Sequence, residues 1–124
     1  MTRVLVIEDE TPIRENIVET LELNDFDVFV ADGGLASIEI LQNQSIDVVV
    51  CDIMMHDVDG FEVLRTVRDD LSMTHLPFIF LTAVTDKQLR EQAYQMGVDA
   101  FITKPFSYLD LLEVIKKLLK QVNS

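Results

Sequence analysis

Polar side chains follow four of the apolar runs in this sequence, and their types are those that phosphoryl chemistry uses. Glu8 and Asp9 come directly after the run VLVI, and Asp52 comes directly after DVVVC. Thr82 follows PFIFL, and Lys104 follows DAFIT. Carboxylates, a hydroxyl and an ammonium can hold a divalent cation and neutralise a phosphoryl group in transfer. This chemistry requires a fold that brings the separate stretches together.

Five short apolar runs, rich in β-branched residues, alternate with segments of helical periodicity. Continuous apolar runs of this length are typical of strands that are buried on both faces of a parallel sheet. They occupy residues 4–7, 27–31, 47–51, 77–81 and 99–103. The alternation predicts an α/β domain with a (βα)5 pattern, in which helices cover both faces of a doubly wound, five-stranded parallel sheet.

The segments between these runs carry apolar residues three and four positions apart, on one face of a helix. Thr11 and Pro12 predict the N-cap and first residue of the first helix, and Gly97 predicts the end of the fourth. The apolar stripes are Ile13, Ile17, Val18 and Leu21; Phe61, Leu64, Val67 and Leu71; Leu89, Ala93 and Met96; and Leu111, Ile115, Leu118 and Val122.

The order of the strands decides where the polar residues meet. Ligands of open α/β sheets bind at the carboxyl ends of the strands, near the point where the strand order reverses. The second run ends only in Asp32 before Gly33 and Gly34, as an outer strand would. We therefore predict the order 2-1-3-4-5, which is the flavodoxin-like topology. The polar ends of the other four strands then converge on one edge.

The three acids predict a metal site. Two carboxylates about 4 Å apart repel by roughly 4 kcal/mol at an effective dielectric near 20, so Glu8, Asp9 and Asp52 need a cation to converge. Oxygen ligands without a nearby thiol or imidazole favour Mg²⁺ or Mn²⁺ over zinc. Asp52 is the best candidate nucleophile because it leaves the central strand. Lys104 would pair with phosphoryl oxygens, and Thr82 would donate a hydrogen bond to one of them.

The composition disfavours several classes of protein. The 124 residues, 48% of them hydrophobic, predict one domain over 1–124. A formal net charge of −12 argues against direct nucleic-acid binding, which needs clustered Lys and Arg. We expect no membrane span and no secretory signal, because no apolar run approaches roughly 18 residues and acids appear almost at once. The single cysteine, Cys51, favours a cytoplasmic location.

From Val4 to about Leu119, the sequence resembles the receiver domain of bacterial two-component response regulators. The matching stretches are VLVIEDE, DVVVCDIMMHDVDGFEVL, PFIFLTA and GVDAFITKPF. The resemblance implies a chemotaxis-regulator-like fold and a phosphorylation-activated switch rather than an enzyme, and leaves open self-catalysed phosphorylation and slow dephosphorylation. It implies that a sensor histidine kinase or a histidine phosphotransfer protein donates its phosphoryl group to Asp52. It leaves no room for an effector domain in this chain.

The resemblance also assigns the metal ligands by position. Asp9 and Asp52 would bind the cation directly, Met54 through its backbone carbonyl, and Glu8 through water. These assignments agree with the acidic cluster that the strand order predicts.

The resemblance further implies a switch at the ends of strands 4 and 5. Thr82 would turn toward the phosphoryl group, and the Phe101 ring would fill the space it leaves. The bond between Lys104 and Pro105 is usually cis in the family. These movements would couple phosphorylation to the surface formed by helix 4, strand 5 and helix 5.

A few positions depart from the family pattern. His56 stands where Pro is common, and we expect it to be a solvated loop residue. Met54 and Val84 occupy positions that tune the loss of the phosphoryl group, and both are apolar. Ala100 and Val114 replace an ion pair of the winged-helix subgroup, so that dimer is not expected. Another phosphorylation-dependent dimer is left open.

Two other classes share this fold. An aspartate-nucleophile phosphatase usually needs a second Asp two residues after the nucleophile, where this chain has Met54. A nucleotide- or flavin-binding protein would need a glycine-rich loop after the first strand, where Glu8 and Asp9 would repel phosphates. The sequence does not identify the kinase, the input signal or the output.

Overall fold

Strands and helices alternate along residues 1–83 and 86–122, which are the residues that the computed structural model describes. The strands are β1 (Arg3–Ile7), β2 (Asp27–Ala31), β3 (Val48–Asp52), β4 (Phe78–Thr82) and β5 (Ala100–Thr103). The helices are α1 (Thr11–Leu23), α2 (Gly34–Asn43), α3 (Gly60–Arg65), α4 (Lys87–Gln95) and α5 (Tyr108–Val122). One turn of π-helix, Thr66–Asp70, continues α3.

The strands form one parallel sheet in the order β2-β1-β3-β4-β5, which confirms the predicted fold class and strand order. The central strand β3 is buried along its whole length. Its pairing places Cys51 opposite Ile7 of β1 and Asp52 opposite Leu81 of β4. The carboxyl ends of these three strands therefore lie at the same edge of the sheet.

Two polar residues belong to strands rather than following them, because β3 and β4 each end one residue later than their apolar runs. Asp52 pairs with Leu81, and Thr82 pairs with Thr103, so both are the last residue of a ladder. The hydrogen bonds of the sheet continue through these positions although the side chains are polar. The consequence is that both side chains stand on strand backbone rather than on a loop.

Side chains from the sheet alternate between two core layers. One layer packs against α2, α3 and α4, and the other packs against α1 and α5. Cys51 lies in the first layer and is fully buried, on the opposite side of β3 from Asp52. Each buried aliphatic or aromatic side chain contributes about 1.5–3 kcal/mol. The two layers therefore hold the strand ends firmly in place.

The helix ends differ in part from expectation. Thr11 is the first helical residue of α1, and Glu10 occupies the N-cap without a side-chain hydrogen bond. Gly97 has a φ of 98° just past α4, as a helix-ending glycine requires. Val122, expected on the apolar stripe of α5, is 55% exposed, and the last fully buried residue of this helix is Ile115.

Candidate functional site

The carboxylates of Glu8, Asp9 and Asp52 meet at the carboxyl edge of the sheet. One oxygen from each lies within 4.8 Å of the others. Glu8 is completely buried, Asp52 is 5% exposed, and Asp9 is half-buried at the rim. The structure therefore brings together the three acids that the sequence analysis singled out.

Lys104 reaches into this acidic cluster from the end of β5. Its ammonium donates hydrogen bonds to Glu8 Oε2 at 3.0 Å and to Asp52 Oδ2 at 3.1 Å. Its backbone N–H donates to Thr82 O at 2.7 Å, and the peptide bond between Lys104 and Pro105 is cis. Burial alone would lower the pKa of Lys104, but its hydrogen bonds to the two carboxylates raise it.

Burial raises the pKa of Glu8 to about 7, although the hydrogen bond from Lys104 opposes this change. The negative charge of Asp52 adds to the increase. One ammonium is thus too little positive charge for three converging carboxylates. A cluster of oxygen ligands with unbalanced negative charge is chemically suited to a hard divalent cation. The donor set fits Mg²⁺ or Mn²⁺.

The loop after β3 is held close to Asp52. The backbone N–H of Met54 donates to Asp52 Oδ1 at 3.2 Å, while the Met54 side chain is 63% exposed. Gly60 N donates to Ile53 O at 2.8 Å. A Cβ at Gly60 would lie 2.7 Å from Asp52 O, so only glycine fits without displacing the strand end. The backbone of Met54 thereby lies next to the acidic cluster.

The two expected switch residues lie on neighbouring strands. Thr82 is fully buried at the end of β4, and Phe101 is half-buried in β5. The Phe101 ring packs edge-on against Phe80, with the ring centroids 6.4 Å apart. The guanidinium of Arg90 in α4 lies 5.1 Å above the same ring and donates to Thr103 Oγ1 at 3.4 Å. Phe101 thus bridges the core and α4. Val84, the second position expected to tune the loss of the phosphoryl group, lies outside the residues that the structure describes.

Sequence reasoning did not anticipate the contact between His56 and Asp9. The backbone N–H of His56 and its ring Nδ1 both lie 3.2 Å from Asp9 Oδ2. The two residues are 47 positions apart, so no local spacing could have revealed the contact. The imidazole is 67% exposed, as a solvated loop residue should be, yet it touches one of the three acids.

Sequence reasoning also missed Asp57, which ties the same loop to α2. Its carboxylate accepts hydrogen bonds from Gly34 N at 3.0 Å, Leu35 N at 3.2 Å and Val58 N at 2.6 Å. A Cβ at Gly33 would lie 2.7 Å from the Asp57 carboxylate, so glycine makes this approach possible. Desolvation would raise the pKa of Asp57, but these N–H groups together lower it to about 2.

We expect the contribution of Asp57 to stability to depend on pH. Its carboxylate has a pKa of about 2 in the folded protein against an ordinary 3.8, so its contribution is full above 3.8 and is lost as the pH falls toward 2. In urea unfolding, Asp57→Asn should be less stable than wild type at neutral pH, and the difference should shrink below pH 3.8. Asp69→Asn, at an exposed position, is the control. A difference that stays constant with pH would contradict the role of the charge.

A family model for the response regulator receiver domain matches residues 4–116. The heme response regulator HssR of Staphylococcus epidermidis is 34% identical over 126 residues, which cover all of this chain. The chain spans 55% of that relative's own length. The match therefore concerns one part of a longer protein.

Solved structures agree with the family match. The receiver domain of the Francisella response regulator 1452 has a TM-score of 0.92 at 30% identity, over 98% of this chain and 99% of that one. The response regulator TrrA of Thermotoga maritima, in complex with Mg(2+)-BeF, has a TM-score of 0.84 at 30% identity, over 95% of this chain and 99% of that one. This chain belongs to the response regulator receiver domain family of two-component systems.

Proposed function

We propose that this domain is a switch whose Asp52 accepts a phosphoryl group from the phosphohistidine of a sensor histidine kinase or a histidine phosphotransfer protein. The observation that carries the proposal is the position of the Lys104 ammonium, 3.1 Å from Asp52 Oδ2 and 3.0 Å from Glu8 Oε2. A nearly buried carboxylate, an ammonium in contact with it and two further acids are the groups that phosphoryl transfer to an aspartate needs.

In the proposed reaction, an oxygen of Asp52 attacks phosphorus and forms a new P–O bond. The P–N bond of the phosphohistidine breaks, and its electron pair returns to the imidazole nitrogen of the donor. Lys104 moves from the carboxylate oxygen to a phosphoryl oxygen and neutralises part of its charge. Loss of the group would follow from attack by water on the same phosphorus, which restores the Asp52 carboxylate and releases phosphate.

The acids beside Asp52 would hold the cation that this transfer uses. Asp9 and Asp52 would bind it directly, Met54 through its backbone carbonyl, and Glu8 through water. When bound, Mg²⁺ or Mn²⁺ supplies positive charge to the phosphoryl oxygens. Its own positive charge would also offset the repulsion among the three acids. TrrA, which is 30% identical to this chain, was solved in complex with Mg(2+)-BeF, and this supports magnesium as the cation.

The phosphoryl group would bias the conformation of Thr82 and Phe101. It adds acceptor oxygens to which the Thr82 hydroxyl can donate, and the Phe101 ring would move into the space vacated. Since Arg90 of α4 stacks on that ring, any movement of Phe101 changes a contact with α4. The output surface would be formed by α4, β5 and α5.

Residues 1–124 would form a single receiver domain with its core from Val4 to about Leu119. It acts in the cytoplasm, alone or as the receiver part of a longer regulator, as the length of HssR suggests. In the described part of the chain, none of the helices has the length and apolar character needed to cross a membrane.

Phosphorylation by a small phosphodonor tests the proposal directly. Wild-type protein incubated with acetyl phosphate and Mg²⁺ should gain one phosphoryl group in intact-mass analysis. Removal of the metal with EDTA should prevent the gain, because the three carboxylates would then oppose an incoming anion. A chain that binds Mg²⁺ but gains no mass would contradict the proposal. Sustained hydrolysis of phosphate esters would indicate a phosphatase instead.

A further inference from the structure

Two donors from one residue converge on a single oxygen of the acidic cluster. The backbone N–H of His56 and its ring Nδ1 both lie 3.2 Å from Asp9 Oδ2. With Nδ1 protonated, the imidazole donates its hydrogen bond to this oxygen, and Nε2 is left free. Among the residues that the structure describes, none donates a hydrogen bond to the other oxygen, Oδ1. In the described part of the chain, the Asp9 carboxylate is therefore held through Oδ2 and not through Oδ1.

This contact is poorly placed to stabilise the fold. The His56 side chain is 67% exposed and that of Asp9 is 21% exposed. A hydrogen bond this accessible to water contributes little to stability, because water competes for both partners. The two donors instead restrict the rotation of Asp9, which is the most exposed of the three clustered acids. Glu8 and Asp52 are already held by Lys104, and Asp9 is held by His56.

We propose that His56 is a positioning residue for the divalent cation, because it holds Asp9 Oδ2 and leaves Oδ1 free to bind the metal. This inference rests on the proposed function, since it concerns the same cation. Carboxylates that bind metals are commonly held by a hydrogen bond from a second residue, which orients them before the metal arrives. In this chain the loop after β3 supplies both that hydrogen bond and the Met54 carbonyl.

Substitution of His56 should therefore change metal affinity and leave the fold intact. His56→Ala keeps the backbone N–H but removes the imidazole, so Asp9 gains rotational freedom that the cation must then restrict. Loss of such a partner typically weakens metal affinity about 10–100-fold. We expect about a tenfold loss for Mg²⁺ and for Mn²⁺, at the lower end of that range because one donor remains. His56→Asn restores a side-chain donor near the position of Nδ1 and should recover most of the affinity.

Isothermal titration calorimetry with Mg²⁺ alone, at one mildly alkaline pH, measures these affinities. The control is His75→Ala, since His75 is the other histidine of the chain and is exposed just before β4. The proposal expects weaker binding in His56→Ala, recovery in His56→Asn and no change in His75→Ala. Thermal unfolding without metal should show the same melting temperature for His56→Ala and wild type.

The outcomes separate this inference from the proposed function. Failure of the wild type to bind Mg²⁺ would overturn the metal site itself. Wild-type binding with equal or tighter affinity in His56→Ala would overturn only the positioning role. Electron spin echo spectra of the Mn²⁺ complex should lack the strong ¹⁴N coupling of a directly bound imidazole. Such a coupling, absent in His56→Ala, would show that His56 is a ligand and would also overturn the positioning role.

Discussion

Asp52→Asn should take up no phosphoryl group from acetyl phosphate, with Mg²⁺ present and all other residues unchanged. The amide has nearly the size of the carboxylate but lacks its negative charge and is a poor nucleophile. The substitution therefore removes the attacking oxygen with little change in the packing at the end of β3. Intact-mass analysis should show the unmodified mass alone, whereas the wild type should gain one phosphoryl group.

Two aspartates in the loop after β3, close to Asp52 in the sequence, are matched controls for this experiment. The carboxylate of Asp57 accepts hydrogen bonds from the first residues of α2, and that of Asp59 accepts one from Glu62 N at 3.0 Å in α3. Both carboxylates are exposed and engaged at helix N-termini, so Asp57→Asn and Asp59→Asn should still be labelled. Labelling of Asp52→Asn at the wild-type level would remove Asp52 as the acceptor.

We expect Arg68→Ala to lower the free energy of unfolding more than the same substitution of an exposed arginine does. Its guanidinium donates to Met73 O at 2.8 Å, Leu76 O at 2.7 Å and Gly97 O at 2.8 Å, and it pairs with Asp99 Oδ2 at 3.0 Å. These bonds join the π-helical turn after α3, the segment before β4, and the connection from α4 to β5. Its side chain is only 10% exposed, so water cannot fully replace it.

The expected loss is about 3–4 kcal/mol in the free energy of unfolding. This is below the sum of four hydrogen bonds from a charged donor at about 1.5–3 kcal/mol each, because the backbone will relax and water will hydrate part of the released acceptors. Arg68→Lys should recover little of this, because an ammonium lacks the planar fork that reaches several acceptors. Arg65→Ala is the control, because Arg65 is 41% exposed and pairs with the surface acids Glu62 and Asp70. It should lose much less stability than Arg68→Ala in urea unfolding, because water screens its exposed ion pairs. Equal losses at both positions would refute the role assigned to Arg68.

The sequence alone determined the architecture and the candidate residues. Apolar runs of four or five residues predicted the strands, because burial on both faces requires a continuous apolar stretch. The second run is followed by only one acid, Asp32, and this predicted that its strand lies at the edge of the sheet. The remaining strands then had to be neighbours, so Glu8, Asp52 and Lys104 were expected to meet. The structure confirms the strand order and places the Lys104 ammonium in contact with both Glu8 and Asp52.

Only the tertiary structure decided the contacts that surround these residues. His56 contacts Asp9 from 47 positions away, Asp57 caps α2 from 23 positions away, and Arg68 binds Asp99 from 31 positions away. Strand and helix patterns are local, because they follow the repeat of the backbone. Loop side chains have no such repeat, and their partners depend on how distant segments pack. The acids and Lys104 could therefore be recognised in the sequence, but the contact of His56 with Asp9 and the contacts of Asp57 and Arg68 could not.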